Sequence, residues 1–251
     1  MRTRPPHRLP LLKPLLALLV LVLLLPLGGL WAAPGALAAE PERPAAPTVL
    51  AQRLLSWPDW RLPAPLPRPG RSDLVYPEWF AGTWRAQLHD PEGRDPDLTV
   101  TLRFRADGPG GAVVGERAFN AAAIGRAVLG DSLLNVRDDP SNPNRQIAAL
   151  AQDQRLESTV VGRREEQPDA DTLLADELTL QVLHGSGDPR VSRIETLSRY
   201  RRVAPGRIEG EQWQASYGSP GDGLLATPLR SWRGRLLLER LEQAEQPERL
   251  S

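Results

Sequence analysis

Residues 76–88 (YPEWFAGTWRAQL) alternate between apolar and polar side chains. Successive side chains of a β-strand point to opposite faces, so one face of this stretch carries Phe80, Gly82, Trp84, Ala86 and Leu88. The opposite face is mostly polar, which predicts a half-buried antiparallel strand at the start of the folded part of the chain. Because Gly82 has no side chain, we expect a neighbouring ring or backbone to lie against it.

The same alternation recurs along the rest of the chain. Asn120 is a good N-cap for a short helix over 121–129, which Gly130 is placed to end. Residues 146–152 fit either a helix or a strand. Further strands are predicted at 98–105, 112–119, 132–137, 155–164, 177–183, 190–203, 207–217 and 229–241. About nine strands separated by short loops, with one or two short helices, predict an all-β fold. We expect an antiparallel β-barrel, because a sandwich would leave strand edges exposed.

The N-terminus has the pattern of an export signal. A basic segment precedes the apolar run of residues 15–25, and Ala36-Leu37-Ala38 offers small residues for cleavage after Ala38. A retained membrane anchor is the alternative. We therefore predict a signal peptide over 1–38, a Pro-rich arm over 39–70, a β-barrel domain over 71–244 and a disordered tail over 245–251.

Composition excludes several functions. Without residues 1–38, which carry four basic residues and no acidic one, the 31 basic and 31 acidic residues become 27 and 31, a net charge of minus four. This mildly acidic balance argues against a nucleic-acid partner. The chain contains no Cys, so disulfides, zinc–thiolate sites and thiol nucleophiles are excluded.

Residues 39–70 hold eight prolines and two large rings, Trp57 and Trp60. Proline removes backbone donors, so the segment cannot form a sheet ladder and tends to be extended. One interpretation is that the two rings staple the segment across the barrel. The alternative is that they dock a protein partner, since exposed aromatic rings in Pro-rich segments are common recognition elements.

No catalytic pattern stands out. His89 and His184 fall in turns or at strand ends, and paired carboxylates such as Asp138 and Asp139 are adjacent, so in a strand they point to opposite faces. An enzyme is therefore not indicated, and no metal site is predicted. The oxygen-rich loop 138–144 could ligate calcium, but it lacks the EF-hand spacing, and such loops usually hydrogen-bond their own backbone.

Two strands near the C-terminus suggest a binding interior. Ile194, Thr196, Ser198 and Tyr200 share one face of an Arg-rich strand; if this face points inward, the interior is not a dry hydrocarbon core. The alternative is that the hydroxyls only suit a strand and the arginines pair with acids on neighbouring strands. In the last strand, Arg233 is placed to lie over an indole of the opening strand if the two strands pair.

The Gly82-Thr83-Trp84 opening with a late arginine resembles the calycin pattern of lipocalins and fatty-acid-binding proteins. The haem-binding nitrobindin-like barrels share a similar opening but use a histidine late in the chain, and none follows His184 here. The calycin resemblance implies closure through Gly82, Trp84 and Arg233.

A second resemblance covers nearly all of the chain from about Trp57. The blocks that carry it are YPEWFAGTW (76–84), AFNA (118–121), IGRA (124–127), DPSNPNRQI (139–147), ADEL (175–178) and SRIETLSRY (192–200). Together they resemble a family of uncharacterised exported proteins of cyanobacteria, with relatives in plastids. The resemblance implies the periplasm or thylakoid lumen of a photosynthetic cell, and it supplies no catalytic residue, ligand or cofactor.

Three functional hypotheses follow. In the first, a non-enzymatic barrel binds a small apolar or amphipathic molecule, such as a lipid, carotenoid or tetrapyrrole, which predicts an internal cavity of several hundred cubic ångströms. Its candidate ligand-binding residues are Trp84, Asn120, Arg145, Tyr200 and Trp213. The second is an assembly factor of a photosynthetic membrane complex that docks through Trp57 and Trp60. The third, a hydrolase or isomerase, lacks an identifiable nucleophile and base.

Overall fold

The structure is a computed structural model that describes residues 47–108, 110–222 and 225–242. The predicted signal peptide, the start of the Pro-rich segment (39–46) and the predicted tail lie outside the described residues. Within them are two α-helices, α1 (Val49–Leu55) and α2 (Arg117–Leu129), and ten strands. The strands are β1 (Gly82–His89), β2 (Leu98–Ala106), β3 (Val113–Gly115), β4 (Leu133–Asp139), β5 (Asn142–Leu150), β6 (Gln154–Asp169), β7 (Thr172–His184), β8 (Arg190–Ala204), β9 (Arg207–Tyr217) and β10 (Arg230–Arg240).

All ten strands form one antiparallel sheet in the order β3-β2-β1-β10-β9-β8-β7-β6-β5-β4. The predicted all-β, barrel-like antiparallel fold is confirmed, with ten strands instead of about nine. The sheet curls into a half-barrel. It is not a closed barrel, because its two edge strands, β3 and β4, do not pair with each other. Helix α2 packs on β2 and on β4, and so covers the gap between the edges. Among the described residues no helix is long and apolar enough to cross a membrane.

The inner face of the sheet holds the largest apolar core. The predicted inward set of β1 is confirmed, since Trp84, Ala86 and Leu88 are all buried. β1 pairs with β10, which brings Trp84 opposite Arg240. The guanidinium of Arg240 lies 4.6 Å from the centre of the Trp84 ring. A Cβ on Gly82 would lie 2.8 Å from that guanidinium, so the glycine makes room for it.

The outer face of the sheet is covered over β7–β9 by an arm, which we define as residues 47–70. Leu50, Trp60 and Leu62 of the arm pack on the outward-facing Leu197 and Trp213 of the sheet. Trp60 has no exposed surface, and its ring meets that of Trp57 edge-on at 4.7 Å. The rings therefore staple the arm onto the sheet, as the first of the two interpretations describes.

Several local predictions need correction. α2 begins at Arg117, so Asn120 lies inside the helix and is not its N-cap. The strand predicted over 112–119 is only three residues long, because the helix starts earlier. Residues 142–150 form a strand, and the 138–144 segment is a tight hairpin in which Asp139 accepts hydrogen bonds from Ser141.

Candidate functional site

A cavity of about 100 Å³ lies inside the half-barrel, beneath α2. We call it the inner cavity. It is smaller than the several hundred cubic ångströms expected for a lipid, carotenoid or tetrapyrrole site. Its walls come from both sides of the gap in the sheet: Tyr76, Leu102, Phe104, Gly115, Arg117, Asn120, Ala121, Ile124, Val136, Gln146, Ala148, Leu156, Ser158, Val160, Glu177 and Thr179.

Most of the lining of the inner cavity is apolar, and a few polar groups converge on it. Ser158 and Thr179 bring hydroxyls from β6 and β7, and Gln146 brings an amide from β5. A mostly apolar pocket with a few placed polar groups is the usual composition of a small-molecule site.

Arginines and carboxylates form one wall of the inner cavity. The Glu177 carboxylate accepts from Arg117 at 2.8 Å and from Arg163 at 2.7 Å. Arg117 also donates to Asp73 at 2.6 Å. Burial alone would raise the pKa of Glu177, but the charges and hydrogen bonds of Arg117 and Arg163 lower it to about 2. The two arginines and two acids balance, so the wall is electrically neutral at neutral pH.

The interior beyond the cavity is also polar. On β8, Thr196, Ser198 and Tyr200 are buried and face inward. The interior is therefore partly polar, as the sequence predicts for the case in which this face points inward. Ser198 accepts a hydrogen bond from the Gln212 amide at 3.0 Å. Three buried polar groups have no hydrogen-bond partner among the described residues: the amide oxygens of Gln181 and Gln212 and the indole N–H of Trp232. Buried polar groups normally have partners, so these three atoms have unused hydrogen-bonding capacity.

Asn120 holds α2 onto the sheet. Its side-chain oxygen accepts from the backbone N–H of Arg103 at 2.8 Å, and its amide donates to the Arg103 carbonyl at 3.0 Å. The Asn120 side chain thus satisfies the two backbone groups of Arg103, as a neighbouring strand would do. Arg117, one turn earlier, ties the same helix to Asp73 and Glu177.

The sequence-predicted site residues do not assemble into one site. Asn120 lines the inner cavity. Trp84 and Tyr200 lie in the adjacent apolar core, where Tyr200 packs edge-on against Phe80 at 5.2 Å. Trp213 lies on the outer face under the arm, and Arg233 approaches its ring at 5.4 Å. Arg145 donates to Asp139 at 2.6 Å, on the face of β5 opposite the cavity.

Sequence reasoning missed Arg117, Arg163 and Glu177. A β-bulge in β6, between Val160 and Gly162, shifts the alternation by one residue and turns Arg163 inward. The polar residues Glu177, Thr179 and Gln181 recur at every second position of one strand, and this was the available signal for a polar inner face.

A second group of buried ionisable side chains lies under the arm, on the outer face. Arg53 of α1 donates to both oxygens of Glu195, at 2.8 and 2.7 Å, and the Tyr217 hydroxyl donates to Glu195 at 3.0 Å. Asp176 is fully buried beside this group. Burial and the neighbouring Glu195 charge raise the pKa of Asp176 well above its usual range.

Each of the two histidines in the described part of the chain contacts a carboxylate near the surface. His89 Nδ1 lies 2.7 Å from Asp97, and His184 Nε2 lies 3.3 Å from Glu157. No serine, threonine or tyrosine hydroxyl is hydrogen-bonded to either ring among the described residues. In the same part of the chain no three His, Asp or Glu side chains are grouped so as to hold a metal ion.

Comparison with known families gives one match. A family model with the description Domain of unknown function (DUF6816) matches residues 92–227. The matched region runs from the β1–β2 loop to beyond β9 and contains every residue of the inner cavity lining except Tyr76. No curated protein and no solved structure matches the chain.

Proposed function

The chain belongs to the DUF6816 family, and we propose that its half-barrel binds a small, neutral, amphipathic molecule in the inner cavity. The observation that carries this proposal is the cavity itself: a mostly apolar space covered by α2, with hydroxyl and amide groups from β5, β6 and β7 at its surface.

The volume of the inner cavity limits the ligand. An apolar cavity of about 150 Å³ is enough for benzene, so the 100 Å³ here suits a slightly smaller molecule or the end group of a longer one. A whole lipid, carotenoid or tetrapyrrole requires α2 to move away from the sheet.

The charge of the cavity wall selects a neutral ligand. Arg117 and Arg163 are saturated by Glu177 and Asp73, so a charged ligand group would have to break an existing buried ion pair. A hydroxyl or carbonyl group can instead bond Ser158 or Thr179 while its hydrocarbon part contacts Ile124 and Ala148.

Native mass spectrometry of the protein purified from its own cell tests the proposal. We expect a bound molecule that is lost in Ala148→Leu, because the larger side chain fills the inner cavity. Ala149→Leu is the matched control, since Ala149 is exposed on the opposite face of the same strand. A wild-type protein without a bound molecule, or an Ala148→Leu variant that still carries one, refutes the proposal.

We also propose that the protein acts after export. The support is the basic segment, the apolar run of residues 15–25 and the cleavage pattern at Ala36-Leu37-Ala38. The mass of the mature chain tests this, because cleavage after Ala38 leaves Ala39 as the first residue.

A further inference from the structure

A large open cavity lies on the outer face of the sheet, between the arm and strands β8–β10. It has a volume of about 830 Å³, which is within the range of about 300–1,000 Å³ for small-molecule sites. We call it the outer groove. It is separate from the inner cavity, because the two share no lining residue.

The two walls of the outer groove differ in chemistry. Helix α1 supplies Ala51, Leu54 and Leu55, and Leu174 of β7 adds to the apolar surface. Leu55 is 79 % exposed, a large apolar side chain with little covering it. The opposite wall is formed by Arg199, Arg201, Glu209, Glu211 and Arg235.

The charged wall has more positive than negative groups. Glu211 is shared by Arg199 and Arg233, and Glu209 by Arg201 and Arg207. Arg235 has no ion-pair partner among the described residues and is only half-buried, so its guanidinium is available to an incoming anion. Among the residues that line the groove, two carboxylates (Glu209 and Glu211) thus stand against three arginines (Arg199, Arg201 and Arg235).

The backbone around the outer groove offers an extended peptide no free strand edge to pair with. β8, β9 and β10 each have a strand on both sides, so their backbone groups are already paired. A peptide in the groove would lack ladder partners for its own amides. A hydrocarbon chain has no such groups and suits the wall of α1.

We propose that the outer groove binds the monomer of a single-chain carboxylate amphiphile, such as a fatty acid. The carboxylate pairs with Arg235, and the hydrocarbon chain lies along Leu54 and Leu55. A flat anionic membrane is a poorer partner, because the chain from residue 39 onward has a net charge of minus four.

Calorimetric titration with dodecanoate, below the concentration at which it forms micelles, tests the proposal. A charge-assisted hydrogen bond of about 1.5–3 kcal/mol corresponds to about 10–100-fold in affinity, so Arg235→Gln should weaken binding at least about ten-fold. Arg137→Gln is the matched control, because Arg137 is an exposed strand arginine remote from the groove. Dodecanol should bind wild type more weakly than dodecanoate does, and Arg235→Gln should remove this difference.

The apolar wall has its own variants. Leu55→Ser should weaken dodecanoate binding, whereas Leu134→Ser, which changes another exposed leucine, on β4, should not. The proposal is overturned if wild type does not bind dodecanoate, or if Arg235→Gln and Arg137→Gln bind it with equal affinity. It is also overturned if Ala148→Leu loses binding while Arg235→Gln retains it, because dodecanoate would then occupy the inner cavity. Tighter binding to anionic phospholipid vesicles than to monomeric dodecanoate also overturns it.

Discussion

The contact between Arg53 and Glu195 should decide whether the arm stays on the sheet. Arg53 bonds both Glu195 oxygens, and the exposed fractions of the two side chains are 11 % and 0 %. Replacement of Arg53 by methionine keeps most of the aliphatic stem and removes the charge. Glu195 then remains buried beside Asp176, and the Tyr217 hydroxyl still donates a hydrogen bond to it.

The expected cost is large. Loss of one partner of a buried ion pair costs about 3–5 kcal/mol. The hydrogen bond from Tyr217 favours the lower end of that range, and loss of the cation–π contact between Arg53 and Trp60, at 4.9 Å, adds about 0.5–1 kcal/mol. We therefore expect the free energy of unfolding to fall by about 3–4 kcal/mol, a large share of the usual 5–15 kcal/mol.

Guanidinium chloride unfolding and limited proteolysis of the arm measure this effect. Arg61→Met is the matched control, since Arg61 is an exposed arginine of the same arm. The double variant Arg53→Met/Glu195→Gln should regain part of the loss, because the unpaired charge is removed. A cost below about 1 kcal/mol for Arg53→Met, or a double variant less stable than the single one, refutes the reasoning.

Three further predictions concern single side chains. Trp60→Ala should cost about 3–5 kcal/mol in chemical unfolding, because Trp60 is fully buried; a loss under about 1 kcal/mol contradicts this. The pKa of Glu177, about 2, lies below the ordinary value of about 4.3, so its carboxylate stabilises the fold above about pH 4.3 and this contribution is lost as the pH falls towards 2. Glu177→Gln should therefore reduce the acid-induced loss of stability between pH 4.5 and 2, and an unchanged slope argues against the ion-pair assignment. Asn120→Ala removes two hydrogen bonds to Arg103 and should cost about 1–3 kcal/mol and speed hydrogen exchange in α2, while unchanged exchange contradicts the anchoring role.

The alternation of side chains predicted the strands well where one face of the sheet meets water. In β1 and β2 the inward residues Trp84, Ala86, Val100 and Leu102 are buried as expected. The rule assumes that the other face is solvated. Alternation of apolar and polar residues therefore becomes an unreliable guide to the inner face where a second layer covers the outside of the sheet.

The placement of Trp213 shows where that assumption fails. Simple alternation directs Trp213 inward and its neighbours Gln212 and Gln214 outward. The structure has the reverse, with both glutamines buried inside and the indole outside under the arm. The arm supplies a second apolar layer, and its register on the sheet depends on contacts between distant residues such as Arg53 and Glu195, which no local pattern encodes.

The candidate site depends on similarly non-local features. Arg163 faces inward only because of a bulge in β6, and Glu177 is stabilised there by Arg163 and by Arg117, which arrives from α2. An isolated charge at an inward strand position is ordinarily a reason to doubt the strand register. Here Arg117 of α2 and Arg163 of β6 neutralise the charge of Glu177, and both elements must be placed before the strand register can be understood.

The half-barrel also determines where a ligand could enter. Nine strand pairings hold the sheet together, and opening any of them breaks several backbone hydrogen bonds at once. Helix α2 is held across the gap by side chains, chiefly Asn120 and Arg117, and by packing on β2 and β4. Separation of α2 from the sheet edges therefore costs less than separation of two strands, so the route to the inner cavity should pass beneath this helix.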